Sequence, residues 1–197
     1  MSAKTPQLSA RLASNLVSCR FTLDRPLAQG GWWFGDAETA KASPLAAKLF
    51  ALDTVSGVKI QDSAVTVTRD TYEDWHLKAR EVSDAIRGHL AEGVPAVKDG
   101  TPSNLPTPEE IRAKAEDVLT AQINPAVASH GGEITLVDVK GASVYVRLLG
   151  GCHGCGMAAV TLRQGVERAL RDAIPQLDDV VDVTDHATGD SPYFQGH

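Results

Sequence analysis

The heptapeptide Gly150-Gly151-Cys152-His153-Gly154-Cys155-Gly156 constrains this chain more than any other stretch. It lies between a strand-like run, Ser143 to Leu149, and a helix-like run, Met157 to Ile174. Two of the three cysteines of the chain sit in it. The C-x-x-C spacing lets both sulfurs face one metal centre or each other, and the flanking glycines permit close backbone approach or positive φ. A helix that begins just past the second thiol sets its positive end there, which lowers a cysteine pKa and enriches the thiolate, the form that binds metals and attacks electrophiles. Such a loop is built to present sulfur.

The rest of the composition narrows the partners. At 197 residues the chain has room for one large domain or two small ones, and its internal organisation favours two. Three cysteines, two of them in one C-x-x-C, make a poor disulfide framework and suit a reducing compartment. The net charge of -6 falls entirely beyond residue 100, because the first hundred residues carry twelve basic and twelve acidic side chains. An acidic cysteine-bearing half argues against nucleic acid as a partner, which needs clustered Lys and Arg. No apolar run approaches the roughly 20 residues of a membrane helix, so no membrane is expected. The first 23 residues lack Asp and Glu and include Lys4, Arg11, Arg20 and four serines, a composition that overlaps mitochondrial transit peptides. They run directly, however, into the strand-like Cys19-Arg20-Phe21-Thr22-Leu23.

In chain order, Gly30-Gly31-Trp32-Trp33-Phe34-Gly35 reads as an aromatic plug for a small core. Ser43-Pro44 opens a helix, with Ser as N-cap and Pro at the first helical position, and Leu45, Leu49 and Leu52 follow as its stripe. Val58 to Ile60 and Ala64 to Thr68 predict a hairpin across Asp62-Ser63, and Trp75, Ala79, Val82, Ile86 and Leu90 recur at helical spacing. His76 and His89 each have one nearby glutamate, Glu73 and Glu92, and are read as a surface or hydrogen-bonded core histidine rather than as metal ligands. Residues 93–107, with Pro95, Pro102 and Pro106 among glycines and polar residues, read as a linker that could span roughly 45 Å.

Thr107-Pro108-Glu109-Glu110 is a capping box, and Ile111, Ala115, Val118, Leu119 and Ile123 form the stripe behind it. Pro125 should break or kink that helix, and His130-Gly131-Gly132 should end it. Ile134 to Val139 and Val144 to Leu149 make a hairpin that leads into the cysteine loop. Beyond the loop, Leu162, Val166, Ala169, Leu170, Ala173 and Ile174 form an apolar face, with Glu167 and Arg171 among the charged residues opposite. Val180 to Thr184 supplies a last strand for the hairpin. The fold class is therefore α+β, two small layered domains joined by a Pro/Gly-containing linker. The expected boundaries are 1–92 for the first domain, with 1–18 extended or disordered, 93–107 for the linker, 108–187 for the second domain and 188–197 for a tail.

Ligand counting separates three chemistries for Cys152 and Cys155. A structural zinc site needs four protein ligands, and this half adds only His130, His153 and His186 as candidates. A dithiol-disulfide oxidoreductase needs only the two cysteines at a helix start, although just one short strand follows here and no aromatic residue precedes the pair. An iron-sulfur site usually needs four thiolates. One chain supplies two, and two copies facing each other across a two-fold axis would supply four. A cluster held that way would be easier to give up than one caged in a single chain, which is the behaviour of a carrier. Cys19 reads as a buried structural thiol.

Residues Ile123 to Thr184 resemble the C-terminal domain of the NifU-like (Nfu) iron-sulfur cluster assembly proteins. The resemblance rests on Asn124-Pro125-Ala126, His130-Gly131-Gly132, Val144 to Leu149, Gly151-Cys152-His153-Gly154-Cys155, Val160-Thr161-Leu162, Gly165-Val166-Glu167 and Pro175. The tail, Thr184-Asp185-His186 with Gly189, Ser191 and Tyr193, is similar to that of bacterial members. The first half resembles the Nfu N-terminal domain through Ala42-Ser43-Pro44-Leu45-Ala46, Leu49-Phe50, Gly57-Val58, Val65-Thr66-Val67 and Trp75. It departs at Ala13 to Val17, where that family usually has a Pro- and Asn-rich stretch. The resemblance implies a [4Fe-4S] cluster bridged between two protomers by Cys152 and Cys155, with Gly151, Gly154 and Gly156 shaping the loop. It further implies a homodimer when loaded, delivery to apo iron-sulfur proteins, contact with upstream assembly machinery and no catalysis. It places the protein in a bacterial cytoplasm, with the mitochondrial matrix as the alternative.

Overall fold

A computed structural model describes residues 6–72, 74–129, 131–150 and 156–184, with side chains from residue 162 onward in the last segment. The chain divides into two compact units, Met1–Leu105 and Pro106–His197.

In the first unit, β1 (Leu8–Leu12), β2 (Ser18–Leu23), β3 (Gly31–Phe34), β4 (Val55–Gln61) and β5 (Ala64–Arg69) form one antiparallel sheet in the order β1-β2-β5-β4-β3. Strand β1 lies in the stretch expected to be extended or disordered. Period-two alternation puts Cys19, Phe21 and Leu23 of β2 and Val65 and Val67 of β5 into one buried set. They pack with Leu45 and Leu49 of α1 (Pro44–Phe50) and with Val82 and Ile86 of α2 (Trp75–Ala91). Trp32 and Phe34 are buried in the same core, so the aromatic run is a plug as its composition implied. The Ser43 cap forms: its Oγ accepts from the Ala46 amide at 2.9 Å.

Of the expected linker, 93–107, residues 94–105 are fastened to this unit. Ala96 and Val97 are buried in its core, and the Ala96 carbonyl accepts from the Leu45 amide at 3.3 Å and the Ser43 hydroxyl at 2.5 Å. Further on, Asn104 reads both backbone groups of Trp33, accepting from its N–H at 2.7 Å and donating to its carbonyl at 2.8 Å. The Trp32 indole donates to the Thr101 carbonyl at 3.0 Å. Prolines remove amides that a sixth strand would need, so beside the one backbone bond from the Asn104 amide to the Gly31 carbonyl the contacts along β3 come from side chains.

The second unit begins with the capping box. The Glu110 amide donates to the Thr107 hydroxyl, and the Thr107 amide donates back to the Glu110 carboxylate at 2.8 Å. Helix α3 (Pro108–Val118) continues through a π-turn (Leu119–Ile123) into α4 (Asn124–Ala128). The wider turn admits Pro125, which has no amide to give and whose ring would crowd the preceding turn, so the helix is interrupted without stopping there. Strands β6 (Gly132–Lys140) and β7 (Ser143–Gly150) form the hairpin, with a bulge at Val137, and β8 (Val180–Asp182) joins β7 in parallel after α5 (Gly156–Ala173). The core joins Ile111, Ala115 and Val118 of α3 with Ile134, Val144, Val146 and Leu148 of the sheet and Val166 and Leu170 of α5.

Two details of α5 differ from its simple amphipathic pattern. Ala173 is exposed, and Glu167 and Arg171, expected to face solvent, are largely buried together. The Arg171 guanidinium pairs with Glu167 at 3.0 Å and donates to the carbonyls of Leu177 and Asp178, each at 2.9 Å. A turn running from Pro175 into β8 leaves carbonyls without ladder partners, and a planar, five-donor guanidinium satisfies two of them at once.

The separate cores give a direct test, because all three tryptophans, Trp32, Trp33 and Trp75, lie in the first unit. Leu170→Ala should destabilise the second unit by about 2–5 kcal/mol. In a urea titration, the far-UV circular dichroism transition should move or split while the tryptophan fluorescence midpoint stays in place.

Candidate functional site

The sulfur-bearing loop connects two elements whose ends are well defined. Strand β7 runs to Gly150 and helix α5 starts at Gly156, so five residues, 151–155, join them. Gly151, Cys152, His153, Gly154 and Cys155 lie outside the described residues, as do His130, His186 and Glu73. The frame around the loop is built from three sets of contacts.

The first is backbone against backbone. Gly132 pairs with Gly150 at the open end of the hairpin, and Gly131 (φ +67°) turns the chain from α4 into β6. Gly150 has φ +63°, and a Cβ there would fall well inside van der Waals contact with the Gly131 carbonyl oxygen. Only glycine combines that φ with that approach at no steric cost. The two Gly positions thus close the hairpin as the chain leaves it for the loop.

The second set comes from the π-turn, which presents Asn124 to β6. The Ile134 amide donates to Asn124 Oδ1 at 2.8 Å, and Asn124 Nδ2 donates to the Ile134 carbonyl at 3.1 Å. One side-chain amide thereby acts as a strand residue on the edge of β6, two residues after Gly132. The third set lies on the other side of β7. Beyond β8 the chain keeps to β7, the Val183 amide donating to the Val146 carbonyl and the Leu148 amide donating to the Thr184 hydroxyl, both at 2.9 Å. The Thr184 hydroxyl in turn donates to the Asp182 carboxylate. Sequence reasoning matched Asn124 and Thr184 as parts of a motif but gave neither a task. A lone Asn before Pro, or a Thr two residues past a strand, carries no local signal of a long-range partner.

The electrostatics of the frame favour sulfur anions. Helix α5, 18 residues long, begins at the residue after Cys155 and has no acidic side chain in its first turn, so its positive end faces the loop uncompensated. Cys19 is a different kind of thiol. It is buried in β2 of the first unit, and burial pushes its pKa up to about 11, against a smaller opposing pull from the Arg11 backbone. That keeps it protonated near neutrality and poorly suited to bind metal. His76 is exposed at the start of α2, whereas His89 is buried with neither ring nitrogen hydrogen-bonded among the described residues, so the expected satisfied core histidine is buried without a partner there. Among the described residues, no group of three or more His, Cys, Asp and Glu side chains could hold a metal ion.

Gly150→Ala tests the frame independently of any chemistry. The combined cost of a left-handed backbone and the collision with Gly131 should be at least about 2 kcal/mol, read as a lower urea midpoint for the second unit. An unchanged midpoint would show that the closure of the hairpin does not depend on glycine.

Residues 115–181 match the NifU-like domain and residues 10–93 match the Scaffold protein Nfu/NifU N-terminal domain. The "Fe/S biogenesis protein NfuA" of Xanthomonas axonopodis pv. citri is 51% identical over 78 residues, which cover 39% of this chain and 39% of that protein. The "NFU1 iron-sulfur cluster scaffold homolog, mitochondrial" of Drosophila erecta is 31% identical over 158 residues, covering 78% of this chain and 56% of that protein. The chain thus spans well under two-thirds of the length of these relatives. A solution structure of a NifU-like protein from Saccharomyces cerevisiae aligns with a TM-score of 0.45 at 18% identity, over 50% of this chain and 90% of that one. With the N-terminal domain and the NifU-like domain present in that order, the chain belongs to the Nfu family.

Proposed function

We propose that this protein is an iron-sulfur cluster scaffold or carrier that binds a [4Fe-4S] cluster as cargo between two copies of the chain and passes it to apo-proteins. Cys152 and Cys155 of each copy are the ligands in this reading, giving four thiolates to one cluster. The observation that carries it is the NifU-like match across residues 115–181, which includes both cysteines and the strand-to-helix frame that delivers them.

Each part of the frame has a role in this reading. The start of α5 stabilises thiolate over thiol, which favours ligation at neutral pH. The glycine closure beneath the loop and the brackets at Ile134 and Leu148 hold the strand end, so that ordering two facing loops on a cluster costs little elsewhere. A site assembled from two half-sets of ligands opens when the copies part, and the cluster then leaves by thiolate exchange onto the recipient. Ligand exchange of this kind makes and breaks Fe–S bonds without turnover of a substrate, so the protein is not an enzyme in this account. Upstream assembly machinery supplies the cluster, and apo iron-sulfur proteins receive it. Among the described residues no helix is long and apolar enough to cross a membrane. We place the protein in a bacterial cytoplasm, with a mitochondrial matrix as the alternative location.

A second reading has one observation in its favour, the C-x-x-C placed directly before a long helix, which also suits a thiol-disulfide oxidoreductase. Two experiments separate them. Anaerobic reconstitution should give roughly one four-iron cluster per dimer, and Cys152→Ala or Cys155→Ala should abolish it. Full cluster retention by either variant would falsify the ligand assignment, and robust insulin-disulfide reduction by cluster-free protein would favour the enzyme instead. Cys19→Ala should keep the iron and sulfide content of the parent, since Cys19 is buried in the core of the first unit and burial raises its pKa to about 11.

A further inference from the structure

In the first unit, the end of α2 buries a histidine, His89, against the fastened segment 94–105. This residue lies in the last turn of α2 and is 1% exposed, and neither of its ring nitrogens has a hydrogen-bond partner among the described residues. A neutral imidazole carries one donor and one acceptor, so the ring gives up both bonds to stay where it is. Such a group is costly to keep, and costlier still once charged.

What covers the ring is the start of the fastened segment. The carbonyls of Val94 and Pro95 lie near it, out of hydrogen-bonding geometry, and Ala96 and Val97 then enter the core. Two charged groups face it. Lys48 comes from α1 and Glu92 from the C-terminal cap of α2, and they are paired with each other. The covering segment contributes no charge between Val94 and Val97. Burial and then Lys48 hold the His89 pKa below its ordinary value, and Glu92 and the two carbonyls oppose them more weakly.

We propose that His89 is a protonation-controlled latch: while neutral it lets residues 94–105 stay docked on the first unit, and when protonated it drives that strap off. A buried imidazolium beside Lys48 needs water or two acceptors, and the piece that can most easily make way is the strap. It has no continuous ladder pairing: isolated backbone bonds from Leu45 to Ala96, Lys98 to Ala42 and Asn104 to Gly31 hold it, together with side-chain bonds made by Ser43, Ser103, Asn104 and the Trp32 indole. Release has two consequences. It frees the twelve residues 94–105, which extend to roughly 37 Å at about 3.1 Å per residue. The edge of β3, now covered by Asn104, becomes available for pairing.

The sign follows from linkage. A histidine whose pKa is lower in the docked state than in the open state binds its proton only after opening. Docking is therefore fully stable above the ordinary value near 6.5 and weakens as the pH falls below it, by at most tenfold per pH unit for one proton. The test uses the full chain and hydrogen exchange. Protection factors at the Lys98 and Asn104 amides, which donate to the Ala42 and Gly31 carbonyls, should fall by up to about tenfold between about pH 7.5 and about pH 5.5. Protection at Val67, inside the sheet, should stay nearly constant. His89→Leu should remove the pH dependence at the two strap amides, and in the parent the His89 ring should titrate at the same midpoint as strap opening. Ring protonation with the strap still protected would overturn the proposal, and so would a His89→Leu strap that opens with the parent's pH profile. Should that variant fail to fold, Lys48→Met serves instead: removing the repelling cation eases protonation of the docked ring, so strap opening should move to lower pH, and an unmoved midpoint would count against the latch.

Discussion

The second unit depends on the approach of two backbones, at Gly131 and Gly150. A hairpin that ends in ordinary residues would splay or twist apart where its ladder runs out. Here the absence of side chains lets the turn from α4 lie against the last residue of β7, and the strand stays paired to its final position. Asn124 on one side and Thr184 on the other extend that hold beyond the formal ladder. The chain therefore enters residues 151–155 from a fixed point and leaves them at the first turn of a long helix. Chemistry that requires two sulfurs at a reproducible place needs that fixed point first.

The charge distribution supports a division of labour. The first unit is balanced, is closed around an aromatic core and keeps its one cysteine buried and protonated. The second carries the whole net negative charge and both loop cysteines. In the reading favoured here, ligands are supplied in half-sets so that cargo can be released. The latch proposed on the first unit is independent of that thiolate chemistry and rests on His89, whose ring nitrogens have no hydrogen-bond partner among the described residues.

Much of this was legible in the sequence, for identifiable reasons. Capping signals such as Ser43-Pro44 and Thr107 to Glu110 act within four residues, so reading them needed no tertiary knowledge. Alternation in Val65 to Thr68 and helical spacing in Val82 and Ile86 gave the correct elements because the buried face of each is continuous. The failures share a different origin. Pro95, Pro102 and Pro106 signal the absence of ladder pairing, and that was taken as freedom, whereas Asn104 and Ser103 make the docking bonds with side chains. Arg171 was placed on the solvent face because its true partners, the carbonyls of Leu177 and Asp178, become available only once the turn into β8 has formed. The unpaired ring of His89 could not be inferred at all, since any pattern that buries a histidine is equally compatible with one that is hydrogen-bonded. Spacing alone marks Cys152 and Cys155 in the sequence, and counting ligands gives the expectation of two per copy.

The most direct measurement of the central claim is native mass spectrometry of the anaerobically reconstituted full chain. The account predicts a dimer carrying a single four-iron cluster that falls to monomers when the cluster is removed by chelation. A monomer that holds a complete cluster alone would contradict it.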